Sequence, residues 1–588
     1  MKNYPYLESI KRKKESITTF AGLNHNVFCQ EGQFYDMKNM STKDFPFIST
    51  RPLRGKSVAL NNPLGLMDKE DLVWVDVVTN NNVETVTLFI NGVAKTTPTL
   101  ANSTKSLYKI GSYIIIFPDK VWYNTKDNTS GTMDASKEYT NTSITMTQVN
   151  AKGENITIDG QAVDGHYKLN TTDGKTTLMV YSANTKMWVN VATTYFKISA
   201  ADLDDNFDKG DGVKITVDMT GITWDRGNYI FVNDEGNGKR SNNFVIHEKG
   251  TDCIIVTGLL DQATRTFTFP SLKVERKAPD MSHICECQNR LWGCSADGHE
   301  VYASKLGDCK NWNCFAGIST DSWAATVGSD GVFTGAFAYM GYPIFFKEDS
   351  LLKISISSYG AHSYKEIECR GVQEGSERSL TLLNELLYYK GTDGVCVYDG
   401  NFPQNISDSL GAERYTDAIG AGINDRYYIS MKDSNNTKTM FVYDAFTNLW
   451  SKEDGLYPKF ITKHGNDIYY IDQDNYLYTI YGTVGTKEDK IPWFVETGNI
   501  GYNLPDRKYL ARINIRMNLF MGSHASFYVN YDSSDKWEFV FDMSGKGTAS
   551  FAVPIRPHRC DHFKLRIVGS GEAKLLSMTK EYEEGSDV

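Results

Sequence analysis

Glu385-Leu386-Leu387-Tyr388-Tyr389-Lys390, then Gly391-Thr392-Asp393-Gly394, then Val395-Cys396-Val397-Tyr398 closing on Asp399-Gly400, reads as strand, polar turn, strand and a second turn. That is an antiparallel hairpin of aromatic and branched residues punctuated by Gly and Asp. The same phrase returns at Leu291-Trp292, Ile344-Phe345-Phe346, Arg426-Tyr427-Tyr428 and Ile468-Tyr469-Tyr470. From Trp292 through Phe345, Tyr388 and Tyr427 to Tyr469 the intervals are 53, 43, 39 and 42 residues. Such a step is that of a four-stranded propeller blade.

Upstream, Leu72 to Val75 and Tyr113 to Phe117 with Val121-Trp122-Tyr123 fit the same plan, and Trp74 and Ile115 lie 41 residues apart. Ile115 to Trp292 spans 177 residues where one step of about 42 is due. The surplus, about 135 residues by that step, is an insertion between neighbouring blades. Its texture differs: rich in Thr, Asn, Asp and Gly, with alternating stretches at Ile156-Thr157-Ile158 and Val213 to Val217. The expected organisation is all-β: an N-terminal arm and first strands at 1–60, propeller at 61–124, one or two inserted β domains at 125–276, and propeller again at 277–491. A β-sandwich-like domain at 492–588 completes it, with alternating strands at Tyr509 to Asn518, Ser526 to Tyr531, Trp537 to Phe541, Thr548 to Val553 and His562 to Val568. Seven units imply six or seven blades, the closing one combining strands from both parts of the chain.

The composition of 34 Tyr, 29 Phe, 48 Gly and 15 Pro in 588 residues belongs to a turn-rich all-β protein. A helical period is visible only near the first twenty residues. No apolar run reaches the ~20 residues of a membrane span, and Met1 to Lys14 lacks the apolar centre of a signal peptide, so synthesis in the cytoplasm is expected. A net charge of -10 argues against a protein that grips nucleic acid. Lys11-Arg12-Lys13-Lys14 and the cluster Arg556, His558, Arg559, His562, Lys564 and Arg566 are the local exceptions, read as solvated edges or subunit contacts. The chain ends in the acidic run Glu581 to Asp587, either loose or an interaction strand.

Motifs for chemistry are weak. Cys285, Cys287, Cys294, Cys309 and Cys314 cluster near His283 and His299, but the spacing matches no zinc pattern, and reduced core thiols are the expectation. Asp204, Asn206 and Asp208 imitate the start of a calcium loop, yet Lys209 stands where Gly is needed and Ile215 where Glu is. Ser295-Ala296-Asp297-Gly298 faintly resembles a sialidase Asp-box without its Trp. Arg290, Arg370, Arg378 and Arg426 are the candidates for convergence on a carboxylate. No Ser-His-Asp order, phosphate loop or HExxH is present. The expectation is therefore no catalytic site, no cofactor and no metal. Tyr181, Trp188, Tyr195 and Trp224 are read first as small-domain core; as a stacking platform for sugar rings they would make the chain a glycan-binding receptor protein. Trp188, Trp224, Arg556, Arg559 and His562 are the candidate ligand or partner contacts.

Phe34-Tyr35-Asp36-Met37-Lys38-Asn39-Met40 with Phe45-Pro46 and Thr50-Arg51-Pro52 resembles the opening of bacteriophage packaged-DNA stabilisation proteins. So do Asn289-Arg290-Leu291-Trp292-Gly293, Tyr302 to Asp308, and Arg556-Pro557-His558-Arg559-Cys560-Asp561-His562-Phe563. Such proteins are similar to the tail hubs or nozzles of short-tailed phages. The resemblance implies a homohexameric ring below the portal and its adaptor in the virion tail. That ring continues the DNA channel without sequence recognition, helps retain the genome until ejection and mounts tail fibres or spikes.

Overall fold

The computed structural model describes residues 12–172, 175–220, 230–258, 266–356, 361–501 and 507–584. Among these the chain is all-β apart from three single-turn 3-10 helices. Six antiparallel sheets of four successive strands and a seventh, five-stranded sheet form a β-propeller. The first blade runs Pro63–Lys69, Asp71–Asn80, Val83–Ile90 and Val93–Lys95; the second Ser106–Ile110, Tyr113–Phe117, Val121–Asn124 and Thr129–Thr132. After the insertion come the third, from His283–Cys287 to Trp323–Thr326, and the fourth, from Gly335–Tyr339 to His362–Glu368. The fifth runs from Thr381–Leu383 to Gln404–Asn405, the sixth from Thr416–Ile423 to Leu449–Lys452. The seventh takes Phe460–His464, Asp467–Ile471 and Tyr476–Thr479 and borrows its fourth strand, Gly55–Ala59, from the start of the chain. Borrowing closes the ring, and Thr486–Lys487 pairs with the far side of the borrowed strand.

The recurring phrase is the second strand of each blade. Trp74, Ile115, Trp292, Phe345, Tyr388 and Tyr427 on those strands are all buried, and between adjacent blades they and their neighbours pack in pairs: Phe346 lies 5.3 Å from Tyr389, and Tyr388 5.4 Å from Tyr427, ring centre to ring centre. In the seventh blade the frame slips, Tyr470 taking the buried place beside half-buried Tyr469. A lysine closes the phrase in two blades with its ammonium folded inward: Lys347 Nζ reaches the Ser329 and Asp330 carbonyls at 2.9 and 3.0 Å, and Lys390 Nζ reaches Gln373 Oε1 at 3.0 Å. The long first interval reflects residues 304–322, a loop between the last two strands of the third blade.

The insertion begins later than 125, because Thr129–Thr132 pairs with Val121–Asn124 as the outer strand of the second blade. It runs from Ala135 to Arg276, which face each other in register at its base. Six strands close on themselves in the order Ala135–Val149, Thr194–Ser199, Cys253–Gly258, Lys239–Gly250, Gly212–Asp218 and Thr266–Arg276, so it is a small barrel. Phe196, Ile198, Val213, Ile215 and Phe269 fill it. A separate three-stranded sheet, Tyr167–Thr172, Lys175–Ser182 and Met187–Asn190, projects beside it. The alternation at Ile156-Thr157-Ile158 does not make a strand: only single bridges form there, at Asn155 and Ile158.

The C-terminal part is a two-sheet sandwich completed by the start of the chain. Phe34–Lys38 pairs with Pro492–Thr497, Ile48–Thr50 with Ala573–Glu584, and Lys13–Ile17 with the same last strand. Lys13–Ile17 is thus a strand and not a helix; residues 1–11 lie outside the described residues. Lys14 stands opposite Glu581 and Arg12 Nε donates to Glu583 at 2.8 Å, so the described parts of the basic and acidic runs lie against each other; Glu584 pairs with Lys508, and residues 585–588 lie outside the described residues. The sandwich core is continuous with that of the fifth and sixth blades through Tyr388, Tyr427 and Trp450. Leu23 N donates to Trp450 O at 2.7 Å, and Gly22, at φ +68, has no room for a side chain: a Cβ there meets Trp450 O at 2.3 Å.

Candidate functional site

Three places concentrate charge or space. The first is the propeller axis, where the inner strands of all seven blades line a cavity of about 640 Å³. Arg378, in the 3-10 turn before the fifth blade, crosses it to the seventh: Nη2 donates to Lys459 O at 2.5 Å and the guanidinium lies 4.8 Å from the Phe460 ring centre. Burial pulls Arg378 below its ordinary pKa. In the third blade burial also lowers His283, whose Nε2 donates to Phe333 O at 3.0 Å. The space is that of a small-molecule pocket, about 300–1,000 Å³, and is no conduit for a duplex.

The second is a buried charge lock where arm, propeller and sandwich meet. Arg54 binds Glu453 at 2.6 Å and Asp454 at 2.8 Å; Arg51 binds Glu488 at 2.7 Å and Asp454 at 3.4 Å. The side chains of Arg51, Arg54 and Glu453 are 2, 6 and 3% exposed. Burial alone would push Arg54 down and the Asp454 carboxyl up. Their mutual attraction wins, holding Arg54 well above and Asp454 below the ordinary value. Arg51 is fixed further by Asn39 Oδ1, which accepts from its Nε at 2.9 Å.

The third is the seat of the barrel on the third blade. Asp211 is buried between the Arg276 guanidinium and Asn311, whose Nδ2 donates to Oδ1 at 2.9 Å. Asn311 Oδ1 accepts from Gly212 N at 2.9 Å and Lys305 Nζ donates to Gly210 O at 2.7 Å. A Cβ at Gly212 would stand 2.5 Å from Asn313 O. The barrel is clamped by these contacts.

The four arginines do not converge. Arg290 is consumed by the carbonyls of Ser304, Asp321 and Ser319 at 2.6–2.8 Å in the third blade, Arg370, between the fourth and fifth blades, faces Asp393 at 3.5 Å, and Arg426 faces Asp444 at 3.4 Å in the sixth. Cys285, Cys287 and Cys294 pack with Trp292 as core, burial raising all three thiols. Among the described residues no three His, Cys, Asp or Glu are grouped to hold a metal. The calcium-like loop is occupied by a lysine: Lys249 Nζ reaches Asp208 Oδ1 at 3.0 Å and the Phe207 carbonyl at 3.3 Å, using its oxygens as a cation would. Ser295 and Asp297 bond each other in an ordinary blade turn, with Asp297 Oδ1 also accepting from His299 N at 3.1 Å.

Trp188 is half-buried on the three-stranded sheet, edge-on to Tyr181 at 5.4 Å, with Lys168 Nζ 4.6 Å from its ring centre. Tyr195 belongs to the barrel wall, against His247 at 4.7 Å; Trp224 lies outside the described residues. Arg556 and Arg559 are exposed on one edge of the sandwich and make no ion pair among the described residues. His562 is engaged, Nδ1 with Asp561 at 2.9 Å and Nε2 with the Ser533 hydroxyl at 2.7 Å. Neither the charge lock nor the barrel seat was identified from the sequence. Their only trace was position: Thr50-Arg51-Pro52 and Tyr302 to Asp308 stood out as phrases without a chemical reading.

No family model matches the chain, and no curated protein matches it. Among solved structures it is similar to an exo-β-1,3-galactanase of Phanerochaete chrysosporium, at 10% identity and TM-score 0.20 over 50% of this chain and 92% of that one. It is also similar to PorZ, a surface component of the type-IX secretion system of Porphyromonas gingivalis, at 11% identity and TM-score 0.24 over 88% and 77%. The dihydro-heme d1 dehydrogenase NirN matches at 9% identity and TM-score 0.25 over 68% and 67%. Superpositions this loose carry no functional argument; the propeller stands on its own strand pairing.

Proposed function

We propose that this chain is a structural subunit of a tailed-bacteriophage virion: a tail hub or nozzle. It assembles in the bacterial cytoplasm as a homohexameric ring below the portal and adaptor, continues the DNA channel, helps retain the packaged genome and mounts fibres or spikes. The observation that carries this reading is where the phage-like phrases fall. Thr50-Arg51-Pro52 sits in the charge lock, and Tyr302 to Asp308 carries Lys305 in the barrel seat. Asn289 to Gly293 includes Arg290, which staples the loop above that seat, and Arg556 to Phe563 forms a sandwich edge. Two of these phrases, Thr50-Arg51-Pro52 and Tyr302 to Asp308, sit at joints between modules, as suits a part under mechanical stress, rather than around a pocket. The net charge of -10 suits a wall past which DNA slides without sticking. Since the propeller axis is bridged by Arg378, the DNA path in this reading lies on the ring axis, between subunits.

Cryo-EM of the purified protein and of the particle carrying it tests the reading. A six-fold ring beside the portal adaptor is expected. A monomer or trimer at the distal tip would overturn it in favour of a glycan-binding receptor, with Trp188 and Trp224 as the first residues to replace.

A further inference from the structure

In an antiparallel four-stranded blade the first and third turns open on the same face. On that face four successive blades each present a large apolar side chain to solvent. The third blade offers Phe315 and Ile318 in its long loop, the fourth Met340, the fifth Phe402 and the sixth Phe446, between 53 and 84% exposed. The turns that bear them are hydrogen-bonded, Asn401 N donating to Asp399 Oδ1 at 2.9 Å and Phe446 N to Asp444 Oδ1 at 3.1 Å. The loop bearing Phe315 and Ile318 is stapled by Arg290 and by Asp321 Oδ2, which accepts from Gly317 N at 2.6 Å and Ile318 N at 3.1 Å. The turns of neighbouring blades are tied by Gln288 Nε2 to Gly341 O at 2.9 Å, Tyr339 Oη to Glu385 O at 2.8 Å and Asn384 Nδ2 to Asp425 Oδ1 at 2.6 Å. Between the apolar tips of blades four to six stand the exposed carboxylates Glu385, Asp399 and Asp425. On these turns the single cation among the described residues is Arg426, already facing Asp444. An apolar arc that is pre-ordered and acidic is built to receive a partner that is apolar and basic.

The same chain carries that complement on its far module. Between the strands Gly547–Val553 and His558–Cys560 of the sandwich, Pro554-Ile555-Arg556-Pro557 runs outside the sheets, with both prolines and Arg556 exposed. Arg559 is exposed on the short strand that follows, and neither arginine has an ion pair among the described residues. An exposed segment carrying two prolines and two arginines unpaired among the described residues suits a surface of apolar tips and carboxylates. We infer that the acidic apolar face of blades four to six docks the Pro554–Arg559 edge of a second copy of this chain. Face and edge are different surfaces of one molecule, so the contact is head-to-tail and propagates into a closed ring when its rotation closes. This deepens the ring reading and rests on it.

Charge reversal on the purified full-length chain, followed by native mass spectrometry, tests the contact. One variant reverses the face (Glu385→Lys, Asp399→Lys, Asp425→Lys), the other the edge (Arg556→Glu, Arg559→Glu). Each alone is expected to lose the assembled species or raise its half-assembly concentration about tenfold or more. Mixed one to one they regain it as a ring of alternating variants, because each reversed face then meets a reversed edge and each native face a native edge. Phe402→Ser with Phe446→Ser, two exposed changes that spare the fold, weakens assembly without altering the melting curve. Reversed variants that assemble like the parent overturn this interface and leave the ring reading standing. A parent that is monomeric at every concentration, in a particle showing no ring of this chain, overturns both.

Discussion

Replacing Arg54 by methionine exposes how much of the closure of the propeller depends on one buried charge. The borrowed strand Gly55–Ala59 brings little apolar area of its own: only Gly55 is buried. It is held by backbone pairing to Tyr476–Thr479 and, one residue earlier, by Arg54 between Glu453 and Asp454. Without Arg54, the Glu453 carboxylate remains 3% exposed with Arg51 Nε at 3.8 Å as its nearest cation. Leaving such a group half-partnered costs about 3–5 kcal/mol, which is a hundredfold to several-thousandfold in an opening equilibrium. The assay is native-state hydrogen exchange. Amides of Gly55–Ala59 and of its partner strand Tyr476–Thr479 are expected to lose protection by that factor, while the strands of the third and fourth blades keep theirs. Arg54→Met combined with Glu453→Leu removes the orphaned carboxylate and is expected to recover most of the loss. A loss under about 1 kcal/mol, the range of an exposed pair, would refute the claim that this lock closes the ring.

Acid has a related effect. Asp454 and Glu488 are held below the ordinary carboxylate range against the upward push of burial, by Arg54 and Arg51 respectively. Their stabilisation is therefore complete above about pH 4.3 and lost as pH falls through their lower folded values; urea midpoints taken from pH 5 to 3 read it. At the alkaline end burial raises Tyr388 and Tyr415 to about 12, and Tyr427 further still. The unfolded chain ionises near pH 10 first, so stability falls above that pH, and phenolate absorbance should rise together with loss of the β-sheet signal. Asp211→Ala strands Arg276 in the barrel seat at a cost of about 3–5 kcal/mol, read as early proteolysis between barrel and third blade before the propeller is cut. Ellman's reagent at pH 8 is expected to leave most of the ten cysteines unmodified in the native protein. Burial raises even half-buried Cys29 and Cys369 to about 11, and rapid reaction of the 285–314 group would contradict the core packing described.

The blades were legible because each must bury an apolar, mostly aromatic second strand against its neighbour, and that need repeats at near-constant spacing from Phe345 to Tyr469 and again from Trp74 to Ile115. The swap of Gly55–Ala59 into the seventh blade was foreseen in kind from the surplus of units, but not in place, since its residues Gly-Lys-Ser-Val-Ala carry no strand-like alternation. The sandwich strands of the C-terminal part read well, for the pattern over Lys508–Leu519 alternates buried and exposed almost without a break. Their partners at Phe34–Lys38 and Ile48–Thr50 did not, because pairing across more than 450 residues leaves no local signal. The insertion boundary slipped because Thr129–Thr132 is polar and exposed, an outer blade strand whose composition is that of a loop. The charge lock and the barrel seat were invisible for a like reason: their members, such as Arg54 and Asp454, stand 400 residues apart, and a buried arginine looks in sequence like a surface one.

That separation also sets a timetable for synthesis. The strand Gly55–Ala59 leaves the ribosome with no partner until Tyr476–Thr479 has emerged, roughly 20–80 s later at about 5–20 residues per second. By the end of that interval six blades stand as an open arc, and the early strands Phe34–Lys38 and Ile48–Thr50 wait longer still. The nascent chain therefore has a long window in which its own seventh blade is not yet made and a neighbouring nascent chain is the nearest alternative partner. Truncation after the sixth blade should therefore leave Gly55–Ala59, a short strand carrying Lys56, unpaired and open to association with other nascent chains.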